Sequence, residues 1–187
     1  MKSLKSRHNF VSIDASTNSM AFSYFKDGSL DRYGKIKFYG QDIYDKIVDT
    51  GHKTNGFFKQ FTDAEYMIIE QPIYVNSPKT AAHLAMSHGA LVSAAAVSGI
   101  THIASVSPIA WQNWAGNPRL TAAEKQAIRD SHPGKTASWY KSQERVFRKQ
   151  RTIGIVNTHF GVMLSDDDVA DAICIGWWTT ENWEKVF

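Results

Sequence analysis

Val11-Ser-Ile-Asp14 is a short, β-branched, mostly apolar run that ends in a carboxylate, and Met67-Ile-Ile-Glu70 repeats the pattern. Runs of this kind read as buried strands of the parallel type. Each delivers its acid to the edge of a sheet, where open α/β sheets place their sites. A further pair, Asp168 and Asp171, stands at the start of the last apolar segment. Its spacing sets both carboxylates on one face of a helix, about one turn apart. Two strands and one helix would thus gather Asp14, Glu70, Asp168 and Asp171 into one cluster. Like charges at close range repel and raise one another's pKa, so the cluster is stable mainly when divalent cations neutralise it. Hard oxygen donors select Mg²⁺ or Mn²⁺, and two such ions suit phosphodiester hydrolysis.

Each acid also has an ordinary explanation. Asp14 fits an Asx turn and Glu70 a solvated strand end. Ser165 is a good N-cap, with Asp166, Asp167 and Asp168 complementing the dipole of the helix that follows. Asp171 lies beyond that first turn, where the dipole effect fades, and the joint placement of the acids favours a site.

Outward from these runs the chain alternates regularly. Residues 9–15 and 20–25 read as strands, Lys26-Asp-Gly-Ser29 as a tight hairpin turn, and 30–39 as the returning strand. A helix over 42–61, weakened in the middle by Gly51 and Gly56, leads to a strand over 63–70 that Gln71-Pro72 ends. The Ala-rich segment 78–98, with Pro78 in its first turn and Gly99 past its end, reads as a helix. A strand over 100–106 follows. Asn, Gly and Pro clusters then surround a short helix over 121–129, with Thr121 as cap and Glu124 at the capping-box spacing. A long basic helix over 136–158, a loop over 159–165 and a last helix over 166–183 complete the chain. This order predicts an α/β fold: a mixed five-stranded sheet flanked by helices on both faces, in one domain over 1–187 with a flexible N-terminus at 1–8.

The bulk numbers agree. A chain of 187 residues with 43% hydrophobic content supports one domain with a real core. Its only cysteine, Cys174, lies in an apolar run, which excludes an internal disulfide or a Cys-based zinc site. With no stretch of signal or membrane-spanning length, the expectation is a soluble, intracellular, cytoplasmic protein with no membrane partner. The net charge of +3 is modest, but from Arg119 to Arg151 nine basic residues face three acidic ones, interleaved with Trp139, Tyr140 and Phe147. That segment suits either a nucleic-acid surface or a solvated helix face with core aromatics. No P-loop, dinucleotide fingerprint, Gly-x-Ser-x-Gly elbow or His-Glu-x-x-His occurs. His83 and His88 are spaced onto different helix faces, which argues against a shared metal. His159, a loop away from the acidic pair in sequence, reads first as a plain surface histidine and second as an aid to proton transfer, and whether it or Asp167 assists catalysis stays open.

Ile13-Asp-Ala-Ser-Thr17, Ile69-Glu-Gln-Pro-Ile73, Ala94-Ala-Ala-Val-Ser-Gly99 and Asp168-Val-Ala-Asp-Ala172 resemble, in order and spacing, the RuvC family of Holliday-junction resolvases in the RNase H-like superfamily. The resemblance runs from about residue 9 to 180. It implies an RNase H-like sheet and a homodimer through the 78–98 helix. It further implies binding to four-way DNA junctions and paired symmetric nicks that leave 5′-phosphates. Asp14, Glu70, Asp168 and Asp171 take the positions of the family's catalytic, metal-binding carboxylates, with two Mg²⁺ (or Mn²⁺) ions. Tyr74 is nearest to the family's aromatic wedge. Lys79, Lys125, Arg145, Arg148 and Lys149 are the candidate DNA contacts. The chain departs from the pattern at Ala15-Ser-Thr17, at Trp111 where relatives carry a basic residue, and in a longer 136–158 segment. Two alternatives stay open: an RNase H-like nuclease acting on flaps, branched DNA or RNA–DNA hybrids, and a non-catalytic junction-binding protein.

Overall fold

The computed structural model describes residues 8–72 and 77–187. Residues 1–7 of the expected flexible N-terminus and Tyr74 lie outside them, while His8 stacks on Trp183 with ring centroids 4.4 Å apart. The elements are β1 (Phe10–Ala15), β2 (Ser19–Lys26), β3 (Ser29–Lys37), α1 (Ile43–Phe58), β4 (Tyr66–Glu70), α2 (Pro78–Val97), β5 (His102–Val106), α3 (Pro108–Trp114), α4 (Ala122–Ser131), α5 (Ala137–Phe160) and α6 (Asp167–Glu181). The sheet runs β3-β2-β1-β4-β5. β1, β4 and β5 are parallel, and β2 and β3 are antiparallel additions. This is the expected mixed five-stranded sheet with helices on both faces.

Local chemistry accounts for the boundaries. The β2–β3 turn holds Asp27 at φ 50° and Gly28 at φ 77°, the two positive values that a tight hairpin matching the strand twist requires. Thr121 and Glu124 form the complete capping box. α5 continues through His159, expected in a loop, and stops where Gly161 adopts the left-handed conformation. α1 passes through Gly51 and Gly56 without a break. The N-cap of α6 is Asp166 rather than Ser165: its carboxylate accepts from the amides of Asp168 and Val169. A seven-residue helix, α3, begins at Pro108 inside the stretch read as irregular, because Trp111 and Ala115 bury an apolar face that its loop-like composition conceals.

Alternation along the strands divides the core in two. Val11 and Ile13 of β1 with Met67 and Ile69 of β4 pack under α1 and α2, against Phe57, Phe58, Leu91 and Ala95. Phe10 and Ile68 point the other way, toward Ala172, Ile173 and Ile175 of α6. Successive side chains alternate faces, so Asp14 and Glu70 emerge on the α6 side. No helix among the described residues is long and apolar enough to cross a membrane.

α6 lies unusually close to the sheet. A Cβ added to Gly176 would sit 2.6 Å from Ser12 Oγ and 2.7 Å from Phe25 Cδ2. One turn earlier the Ala172 carbonyl lies 2.9 Å from Ser12 Oγ and 3.0 Å from Ser23 Oγ, and the two buried hydroxyls are 2.5 Å apart, so one serine donates to the other and the second donates to the carbonyl. Gly176→Ala is therefore expected to destabilise the fold by about 1–3 kcal/mol through overpacking, despite alanine's better helix propensity. Urea denaturation measures this, and a neutral or stabilised variant would show that the helix can lift without cost.

Candidate active site

β1 and β4 run parallel with Ile13 opposite Ile69, so the next residues along, Asp14 and Glu70, are neighbours at the carboxyl ends of adjacent strands. α6 crosses above them. With Ala172 fixed over Ser12, the preceding turn carries Asp168 and Asp171 toward the same edge. Asp14 and Asp171 feel the charges of the neighbouring acids. Burial raises the Asp14 carboxyl well above its ordinary value, and Glu70, Asp171 and Asp168 push it further the same way. Burial lifts Glu70 to about 6 against the pull of a hydrogen bond from Trp111. Asp171 rises to about 7, through burial and then the charge of Glu70, while a hydrogen bond from Thr152 opposes the shift.

Side chains from elsewhere in the fold hold these acids in place. The fully buried Trp111 of α3 donates Nε1 to Glu70 Oε1 at 2.7 Å. On the other side, Lys35 of β3 places Nζ 2.5 Å from Asp168 and 3.0 Å from Asp166. Lys149 pairs with Asp167. Carboxylate oxygens of Asp166, Asp167 and Asp168, all partly buried, lie within 4.8 Å of one another, and the charge of Asp168 also reaches Asp14 and Asp171. Lys35, Trp111 as a partner of Glu70, and Thr152 are the residues that sequence reasoning missed. Nothing in their spacing links them to the acids, because the contacts form only through the sheet register and the packing of α3 and α5.

The candidate DNA contacts divide. Lys79 is exposed in the first turn of α2, at an open cleft of about 440 Å³ that Thr17, Lys46 and His83 also line. Arg145 is exposed on α5. Lys125 lies 3.6 Å from Glu144. Arg148 turns inward, donating Nη2 to Gln112 Oε1 at 2.6 Å and to the Asn117 carbonyl at 3.3 Å. Lys149 is occupied by Asp167, and His159 stacks on Trp177 with centroids 3.8 Å apart.

Asp14, Glu70 and Asp171 are partly buried carboxyls with raised pKa values at one sheet edge, while the acids whose oxygens lie close enough together to share a cation, among the described residues, are Asp166, Asp167 and Asp168. No protein-family model matches the chain, and no curated protein matches its sequence. Among solved structures, the chain is similar to Thermus thermophilus RuvC in complex with a Holliday junction substrate, at a TM-score of 0.66 and 12% identity over 95% of this chain and 96% of that one. It is also similar to the T. thermophilus RuvC structure, at a TM-score of 0.62, 12% identity and the same coverage of 95% and 96%. The yeast mitochondrial Holliday junction resolvase Ydc2 gives a TM-score of 0.49 at 12% identity, over 97% of this chain and 82% of that one.

The raised values carry a definite sign. A carboxyl whose folded pKa exceeds its unfolded one binds more protons in the folded state. Its ionisation therefore costs stability as pH climbs past the unfolded value, and the loss levels off above about 6 for Glu70 and about 7 for Asp171. In chelator, Asp171→Asn is expected to raise the melting temperature near pH ~8 by at least ~3 °C, the shift that about 1 kcal/mol produces in a chain of this size. Near pH ~5, where Asp171 is largely protonated, the gain shrinks. Calorimetry at the two pH values checks this, and an equal gain at both would refute the burial of an ionised acid. The mixed five-stranded sheet, its strand order and the helices around it make an α/β fold shared with T. thermophilus RuvC.

Proposed function

We propose that the protein is a divalent-metal-dependent, structure-specific DNA endonuclease that resolves four-way junctions by paired, symmetric nicks. The observation that supports this reading most strongly is the convergence of Asp14, Glu70 and Asp171, with Asp168 at the rim, on one edge of a RuvC-type sheet. The T. thermophilus RuvC of the same fold was solved on a Holliday junction substrate, which makes branched DNA the first substrate to try.

Asp14, Glu70, Asp168 and Asp171 would hold Mg²⁺ or Mn²⁺, two ions per site. Bound there, the cations supply the positive charge and water activation that phosphodiester hydrolysis needs. The chain's own residues orient the site. Trp111 fixes one oxygen of Glu70 and leaves the other for a ligand. Thr152 steadies Asp171. The seat of α6 on Ser12 and Ser23 sets the distance between helix acids and strand acids.

One such site cuts one strand, so paired cuts require two copies about a dyad. The surface of α2 is suited to that pairing. Ala82, Ala85, Gly89, Ser93 and Ala96 are exposed along the helix and permit close approach of a second backbone.

Cleavage of an end-labelled immobile four-way junction tests the reading, beside a flap and an RNA–DNA hybrid, each with Mg²⁺, Mn²⁺ or chelator. Paired nicks confined to the junction are expected with metal. Asp14→Asn should abolish them, by at least ~10³-fold, while junction binding survives. Cutting of the flap or hybrid instead would keep the chemistry and change the substrate. Binding without cutting under either metal would favour the non-catalytic alternative.

The split among the basic residues predicts a second outcome. Lys79→Gln and Arg145→Gln should each weaken binding to any sequence and reduce the salt slope by about 1. Arg148→Gln should lower stability, because it breaks the ties to Gln112 and Asn117. Filter binding across a salt series, with melting curves, separates the two classes. A lost slope with unchanged stability at Arg148 would reverse the assignment.

A further inference from the structure

The sheet register sets a row of residues across four strands. Lys35 pairs with Ala21, Ala21 pairs with Asp14, and Asp14 adjoins Glu70. Residues paired across a sheet share a face, so all four side chains point toward α6. Ala21 is the short member, and it leaves the space through which Lys35 reaches over β2 to the acids. The Lys35 ammonium meets Asp168 at 2.5 Å and both oxygens of Asp166, at 3.2 and 3.0 Å. Its side chain is 21% exposed, so the ion pairs form in a partly desolvated cleft. Lys149, the other lysine at this edge, is occupied by Asp167 instead.

Asp168 is thus a metal-ligand candidate already neutralised by the chain itself. Resting on the nuclease reading above, we propose that Lys35 is a resident cation at Asp168 that a divalent ion must displace, so that this lysine sets the metal concentration at which the site becomes competent. An ammonium and a divalent ion cannot share the same carboxylate oxygen at contact distance without strong repulsion. Loading the site therefore means that Lys35 gives up Asp168. Asp166, which also caps α6, remains as its second partner and keeps the released ammonium at the cleft.

Calorimetric titration of the full-length protein with Mn²⁺, without DNA, tests this. Lys35→Gln should tighten Mn²⁺ affinity by about five- to tenfold, whereas Lys149→Gln should change it by less than about twofold. An equal effect of both substitutions would reduce Lys35 to a contributor to the general field and overturn the proposal, as would unchanged or weaker binding in Lys35→Gln. Either result leaves the nuclease reading intact. If neither wild type nor variant binds Mn²⁺, both fall. A measurement on the wild type avoids dependence on the variants: the side-chain ¹⁵N resonance of Lys35, followed as Mg²⁺ is added, should move as its partner is taken, and a resonance unmoved at saturation contradicts displacement.

Discussion

The seat of α6 on the sheet is the contact on which the rest of the structure depends. Two serine hydroxyls, from β1 and β2, converge on the single carbonyl of Ala172, and the absence of a side chain at Gly176 lets the helix come down far enough for them to reach it. One hydroxyl proton lies between the two serines and the other is directed at the Ala172 carbonyl, so the pair favours one height and one rotation of the helix over its neighbours. A helix turned by one residue would move its acids by about 100° around its axis, away from the strand ends. The polar clamp in an otherwise apolar layer therefore fixes direction as well as adding stability.

With that seat fixed, electrostatics works against the fold. Asp14, Glu70 and Asp171 are each pushed toward the protonated form by burial, and Asp14 and Asp171 further by their neighbours' charges. The protein limits this cost in local ways. Trp111 donates a hydrogen bond to Glu70, Thr152 opposes the rise at Asp171, and Lys35 lowers the penalty on Asp14 from across the sheet. These partners soften the repulsion without removing it, and the residual strain is what a bound cation would relieve. A site that were fully neutralised by its own side chains would have little affinity left for metal.

The sequence reveals much of this and hides a definite part. Strand parity and a terminal carboxylate place Asp14 and Glu70, and a three-residue spacing places Asp168 and Asp171, because both signals are local and periodic. The Asp-Gly turn, the Thr121 capping box and the Ala-rich helix are legible for the same reason. Hidden from it are the contacts made by partners far apart in the chain: Trp111 with Glu70, Lys35 with Asp166 and Asp168, and Arg148 with Gln112. The basic stretch of α5 shows the limit most clearly. Composition marks it as a charged surface, yet Arg148, Lys149 and Arg151 are tied to Gln112, Asp167 and Glu124. Much of that charge fastens α5 to α3, α4 and the start of α6, and periodicity carries no record of which side each cation faces.

The same long-range contacts tie the site to completion of the fold. Asp14 and Asp171 belong to elements at opposite ends of the chain, and the contacts that join those elements, of Ser12 and Ser23 with the Ala172 carbonyl, span 160 and 149 residues. Contacts of such separation carry the loop-closure entropy of the intervening chain. The β1–β4 pairing by itself accounts for Asp14 beside Glu70 and for neither helix acid. Docking of α6 supplies Asp168 and Asp171 in one step, together with the carbonyl that the serines require. Burial of the acids and their gathering are therefore one event, and the four-carboxylate arrangement exists only in the finished structure.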